Sequence, residues 1–536
     1  VSRSQPAGVH EASAVVDPRS FSWRDRDWPG LDLASLVLYE LHIGTFTPGG
    51  TFEAAIERLP ALRELGVTAI ELMPVAEFPG GRNWGYDGVH PYAAQSTYGG
   101  PAGLARLVDA AHAVGLGVVL DVVYNHLGPE GNYLGDYAPY FTERHRTPWG
   151  SAVNFDDEES DEVRRYFIDN ALHWLTDFHV DGLRLDAVHA IYDYGARHVL
   201  EELATAVHEQ AARLGRPALV IAESDLDDPR VVRPREIGGW ALDAQWNDDF
   251  HHAVHAALTG ERRGYYCDFG GVEPIAKTLR DRFFFDGRRS TFRRRHHGAP
   301  ATDVPSGRFV VFVQNHDQIG NRAAGDRLTT LVDPAKARLA TCLSLLSPYV
   351  PLLFMGEEWG ETAPFLYFTS HGDPELALAV RRGRSEEFRR FDWPDEVPDP
   401  QAEETFVRSR PDWAKRESAE HARTLALHRD LLALRSDVLR AGDDDVFVTG
   451  AELERGEGWI VVERAPGLVA AFNVSALAIA ASLPGRFAGE WEIRFSSEET
   501  AYGGAGTTST KIADGRLLLP RFAAALFAKL ATTGET

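Results

Sequence analysis

Eight short apolar runs, each followed by a stretch of helical periodicity, limit most strongly what this chain can fold into. They occupy residues 37–41, 69–72, 117–123, 182–186, 219–223, 242–246, 309–314 and 351–355. Helical patterning lies between them, most clearly at 52–65, 104–114, 163–178, 199–214 and 335–346. A strand apolar on both faces must be covered on both, which is the condition of a parallel sheet joined through helices. Eight such strand–helix units predict an α/β fold, a (β/α)8 TIM barrel ahead of a doubly wound open sheet.

Two insertions break the rhythm. A loop insertion at about 125–160, rich in aromatics and glycine, follows the third strand. A second, at 267–305, precedes the seventh strand and carries Arg293-Arg294-Arg295-His296-His297. A solvated loop, rather than an anion site, is the expectation for that basic run. From 450 to 536 short alternating segments separated by Gly, Pro and Ser predict a C-terminal all-β sandwich. The catalytic barrel is expected to span 35–440, and residues 1–34, polar and without a period, read as a linker.

Composition narrows the function classes. A length of 536 residues exceeds one ordinary core. A formal charge of −24 disfavours nucleic acid and anionic membrane surfaces as partners, because phosphates need a basic face. Apolar runs stop short of a membrane span, and the first residues lack the basic-then-apolar pattern of a signal peptide. Two cysteines, Cys267 and Cys342, argue against a disulfide framework or a Cys-based zinc site. A reducing, cytoplasmic location is the expectation.

The chemistry concentrates where barrel strands end, which is where barrel enzymes place their active sites. Strand three closes Asp121-Val122-Val123-Tyr124-Asn125-His126. Strand four closes Arg184-Leu185-Asp186, with His189 after it. Strand five closes Ile221-Ala222-Glu223, and strand seven Gln314-Asn315-His316-Asp317-Gln318. In a strand, residues i and i+2 share a face, so Arg184 and Asp186 project together while Leu183 and Leu185 pack the other way. Alone, that pair is as compatible with a structural ion pair as with a site. A single acid after a strand is usually a helix N-cap, but three of them closing strands of one barrel suit glycoside hydrolysis, which needs two differently protonated carboxyls. Arg184 favours an ionised Asp186, and the apolar approach to Glu223 is expected to raise its pKa. Asp121, His126, His316 and Asp317 could be read as metal ligands, but no metal-binding spacing accompanies them, so neither a metal nor another cofactor is expected. Tyr86, flanked by Gly85 and Gly88, is expected to expose its ring for stacking on a sugar.

These strand-end segments resemble, in order, the motif regions of the α-amylase family of glycoside hydrolases, over about residues 36–361. The resemblance implies a retaining mechanism with Asp186 as nucleophile, Glu223 as acid/base and Asp317 as transition-state stabiliser. It implies that Tyr86, Asp121, His126, Arg184 and His316 hold the sugar at the cleavage subsite. Finer segments, Asp186-Ala187-Val188-His189-Ala190-Ile191, Ala222-Glu223-Ser224-Asp225-Leu226, Gln245-Trp246-Asn247-Asp248-Asp249-Phe250 and His316-Asp317-Gln318-Ile319-Gly320-Asn321, look like the trehalose-releasing members. That likeness implies cleavage of the α-1,4 bond beside a terminal trehalose in maltooligosyltrehalose, with a maltooligosaccharide as the other product. It also implies that His189, Ile191, Asp225, Trp246, Asp248, Asp249, Phe250, Gln318 and Asn321 lie near the glucose subsites. The alternative within the family is a glycogen branching or debranching enzyme. Relatives usually carry an N-terminal β-sandwich, so residues 1–34 are expected to be the tail of such a domain.

Overall fold

A computed structural model describes residues 1–390, 397–441, 446–452 and 457–530, so parts of the expected C-terminal domain, 453–456 and 531–536, lie outside the described residues. Eight parallel strands close a barrel: β1 Leu38–Leu41, β2 Ala69–Leu72, β3 Gly117–Val122, β4 Gly182–Leu185, β5 Leu219–Ala222, β6 Ala244–Trp246, β7 Phe309–Phe312 and β8 Val350–Phe354. Each corresponds to one of the apolar runs. The closing pair is β1 with β8, in register Leu38↔Leu352 and Glu40↔Phe354.

Period two decides what faces the barrel axis. Leu38, Ala69, Val119, Leu219, Ile221, Ala244, Trp246, Val310, Phe312, Val350 and Leu352 form one buried cluster, the barrel interior. Leu183 and Leu185 belong instead to the larger cluster between strands and helices. Two residues further along the inward series come Glu40 after Leu38, Glu71 after Ala69, Asp121 after Val119, and Glu223 after Ile221. The apolar filling of the barrel thus gives way at its C-terminal end to a charged layer.

Helices Gly100–Ala113, Ser160–Asp177, Val199–Leu214 and Pro334–Leu345 follow the expected periodicity, while the expected helix at 52–65 is broken into Phe52–Ile56 and Leu59–Leu65. In the insertion after β3, an antiparallel ribbon pairs Phe141–Thr147 with Gly150–Val153. A second ribbon, Asp286–Ser290 with Arg295–Gly298, lies before β7. Beyond the barrel, two antiparallel sheets follow. One contains Phe447–Glu452, Gly458–Ala465, Leu468–Asn473, Ala524–Lys529 and Trp491–Ser496 in that order; the other contains Ile479–Ser482, Arg516–Leu519 and Lys511–Ala513. Trp459, Val461, Phe487, Leu517 and Phe527 pack in one core from both sheets.

The segment before β1 is not a free linker. Trp28 donates its indole N–H to Asp181 at 2.6 Å, and Asp25 meets His112 at 2.9 Å and His179 at 2.7 Å. Trp23 stacks on His179 and Trp28 on His112. Asp181 directly precedes β4 and accepts the N–H of Val118 at 2.8 Å, so this segment is fastened where the strands begin, at the end opposite the charged layer.

Candidate active site

One guanidinium organises the strand ends. Arg184, fully buried, donates Nη1 to Asp121 Oδ2 at 2.7 Å and to Asp186 Oδ1 at 3.0 Å. Its Nη2 lies 2.9 Å from Glu223 Oε2. β4 therefore reaches an acid on β3, one at its own end and one at the end of β5. Beneath it lies the ring of Trp246, 4.3 Å from the guanidinium carbon, a cation–π contact. Asp186 Oδ2 accepts Asn125 Nδ2 at 2.7 Å, and the same amide donates to the Asp186 carbonyl at 2.8 Å. Both carboxylate oxygens of Asp186 are thus oriented.

Glu223 does not sit in the apolar surroundings expected from its strand. Its Oε2 faces Arg184 and accepts the Ala187 N–H at 2.7 Å. Ala187 adopts φ +39°, a left-handed conformation unfavourable for a residue with a Cβ, in the turn that aims this N–H.

A second chain of contacts approaches from β7. His316 Nδ1 pairs with Glu40, its backbone N–H donates to Glu40 Oε2 at 3.0 Å, and its Nε2 meets the Tyr86 hydroxyl at 2.7 Å. Tyr86 in turn donates to Asp121 Oδ2 at 2.7 Å. Burial opposes a charge on His316, but the carboxylates of Glu40 and Asp317 outweigh it and lift the ring to about 9. A charged His316 donates from both nitrogens, which fits Glu40 on one side and the tyrosine oxygen on the other. Asp121 is pushed up to about 7 by burial, with Arg184 pulling the other way. Asp317 lies 3.5 Å from His316 Nε2 and accepts Asn321 Nδ2 at 3.2 Å.

A family model described as alpha amylase, catalytic domain, matches residues 15–147. The chain is 55% identical over 436 residues to the malto-oligosyltrehalose trehalohydrolase of Arthrobacter ramosus, covering 81% of this chain and 76% of that relative. It is 49% identical over 462 residues to the enzyme of that name from Saccharolobus solfataricus, covering 86% and 78%. The chain belongs to the malto-oligosyltrehalose trehalohydrolase family. A Salmonella typhimurium crystal structure described as a candidate alpha amylase superposes with a TM-score of 0.87 at 42% identity, covering 98% of this chain and 88% of that one.

Among the residues that the family resemblance and the finer likeness suggested, some converge on the acids and some do not. His126 is buried, meets the Tyr86 carbonyl at 2.9 Å and lies under the ring of Trp149, 4.3 Å away. Tyr86 is half-buried and stacked on His316 rather than freely exposed. Asp225 is exposed, and its N–H reaches His189 Nδ1 at 3.2 Å. Gln318 Nε2 donates to Asp248 Oδ1 at 3.2 Å, and burial pushes Asp248 well above the usual carboxylate range, with the charges of Glu223, Asp225 and Asp317 adding to the effect.

Trp246, Asp249, Phe250 and Ile191 are all buried. Trp246 is 2% exposed inside the barrel and serves as the floor under Arg184. Asp249 accepts the N–H groups of Phe284 and Phe285 at 2.7 and 2.9 Å, tying down the loop before β7. Phe250 and Ile191 lie in the core outside the strands. Asn247 is a helix cap, accepting Phe250 N–H at the start of helix Asp248–Thr259. In the basic run, Arg294, Arg295 and His296 are exposed as expected, but Arg293 turns inward to pair with Asp225, and His297 is buried 3.2 Å from Asp227. The sequence reading missed Glu40, Glu71, Asn125 and Arg293. The two glutamates carried a signal: an acid in an all-apolar buried strand must be paired or protonated.

Proposed function

We propose that this protein hydrolyses the α-1,4-glucosidic bond next to the terminal trehalose of maltooligosyltrehalose, releasing trehalose and a maltooligosaccharide. The observation that carries the reading is the shared guanidinium: Arg184 contacts Asp186 and Glu223 at once, which gathers the two carboxyls a glycosidase needs. The identity of 55% and 49% to trehalohydrolases supports the trehalose end of the substrate and weighs against the branching and debranching alternative.

In this reading Asp186, paired with Arg184 and aimed by Asn125, attacks the anomeric carbon. Glu223 delivers a proton to the glycosidic oxygen, and trehalose leaves. The Ala187 N–H donates to Oε2, on the side that faces Arg184, which leaves Oε1 to present the transferable proton. Glu223 then takes a proton from water, whose oxygen attacks the anomeric carbon and frees Asp186. Asp317 stabilises the cationic sugar at both transition states, and two inversions retain the α configuration. No step requires an ion or cofactor. The net charge of −24 and a neutral sugar ligand fit this reading, and we place the enzyme in the cytoplasm on the strength of its cysteine usage. Among the described residues no helix is long and apolar enough to cross a membrane. Incubation with a defined maltooligosyltrehalose, followed by chromatography, tests the reaction: free trehalose is expected, and its absence refutes the proposal.

A further inference from the structure

Of the three acids, Asp317 is the least supported. Its side chain is 35% exposed, against 10% for Asp186 and 14% for Glu223. Arg184 touches the other two, whereas Asp317 rides on a single turn, His316–Gly320, and its nearest donor among the described residues is the Asn321 amide at 3.2 Å. An amide can present either end, so something must fix which one faces the acid.

We propose that Arg384 is a positioning residue for Asp317, acting through Asn321. Arg384 comes from helix Pro374–Arg390, beyond the end of the barrel strands, yet it is buried. Its Nη1 donates to Asn321 Oδ1 at 2.9 Å and its Nη2 to the Gly320 carbonyl at 2.6 Å. A guanidinium only donates, so Asn321 must turn its oxygen to Arg384 and its NH2 to Asp317. The second bond caps the carbonyl end of the turn that carries Asp317. The guanidinium itself is held over the ring of Tyr367, 4.7 Å away, and Tyr367 stands edge-on to Trp84. The following residue, Arg322, is anchored separately to Glu261 at 2.8 Å, so the turn is clamped on two sides.

This inference rests on Asp317 acting in the reaction, and the test separates the two claims. Steady-state kinetics on maltooligosyltrehalose would compare wild type with Arg384→Met, Arg384→Lys, Asn321→Asp and Asp317→Asn. Arg384→Met is expected to lower kcat by roughly 10- to 100-fold with KM within about threefold, the cost of a small misplacement of a reacting group. Arg384→Lys, with one ammonium for two acceptors, should fall between the two. Asn321→Asp keeps an acceptor for Arg384 but removes the donor to Asp317, so it should lose kcat at least as far, and a variant combining Arg384→Met with Asn321→Asp no further than the worse single. Thermal melts near wild type would exclude unfolding; a variant that does not fold is replaced in the comparison by Asn321→Asp. If Asp317→Asn is inactive while Arg384→Met and Asn321→Asp keep wild-type kcat, the proposal is wrong and the role of Asp317 stands. If Asp317→Asn turns over like wild type, both fail.

Discussion

Glu40 offers the sharpest test of the electrostatics under the site. It faces His316 with both carboxylate oxygens, one on the ring and one on the backbone N–H. Burial alone would drive His316 towards neutrality, but Glu40 and Asp317 lift it from 6.5 to about 9. At about 1.4 kcal/mol per tenfold change in proton affinity, that lift corresponds to about 3 kcal/mol of folding free energy. The sign follows from linkage. A histidine raised on folding contributes fully below its unfolded value, near 6.5, and the contribution is lost as pH climbs through about 9. Glu40→Gln should therefore destabilise the protein by about 3 kcal/mol at pH 6, and the gap to wild type should close by about pH 9.5.

The cost is offset in part, because Glu40 also presses on Glu71, its register partner on the neighbouring strand. Burial first, and the charge of Glu40 second, raise Glu71 well above the carboxylate range. Removing that charge returns part of the loss. Denaturant unfolding followed by tryptophan fluorescence at several pH values between 6 and 9.5 measures the gap. Because other buried acids titrate in the same window, only the difference between variant and wild type is diagnostic. A gap that stays constant across the window, or no gap at pH 6, would refute the reasoning.

Other outcomes follow from the same geometry. Asp186→Asn and Glu223→Gln should each lower kcat by roughly a thousandfold or more while melting near wild type, as expected for groups that act as a unit with the reacting bond; turnover retained in either variant overturns its assignment. Freshly released oligosaccharide should carry the α anomer at its new reducing end, and an initial β signal by NMR would contradict the retaining reading. Trp28→Phe strips the indole N–H from buried Asp181, which should cost about 1–3 kcal/mol with kcat unchanged, since the contact lies at the barrel end opposite the acids. An unchanged melting temperature would show that the N-terminal segment contributes nothing to stability.

The strands were legible because eight apolar runs separated by helical periodicity admit few closures, and Asp121, Asp186 and Glu223 were legible because they close those runs on the inward period. Arg184 and Asp186 do project together, with Leu183 and Leu185 packed outward. What period and residue type cannot give is the neighbour in space. Glu223 follows an apolar strand, yet the group facing it is an arginine from the adjacent strand. Trp246 looks like a sugar platform by type, but it continues the inward series of Ala244 and so lies below Arg184. Arg293 and Arg384 arrive from surface ribbons and helices whose paths no local pattern encodes. Glu40 and Glu71 were legible in principle, since acids within wholly buried strands require an explanation, though nothing local tells the paired one from the other.

That distinction bears on catalysis. The inward layer beneath the site holds three acids, Glu40, Glu71 and Asp121, and two cations, Arg184 and His316. Glu40 is matched by His316, and Asp121 by Arg184 and the Tyr86 hydroxyl. Glu71 finds no hydrogen-bond donor among the described residues, and burial favours its protonated form. With Glu71 neutral, Glu40 and the ionised form of Asp121 balance the two cations, and in that state the floor carries no net charge. In the proposed mechanism the field at the mouth is then set by Asp186 and Asp317, joined by Glu223 as it gives up its proton. A neutral substrate gains little from that field at rest. An oxocarbenium-like transition state, positively charged where those three acids converge, gains much more, and it is this difference between ground state and transition state that accelerates a reaction.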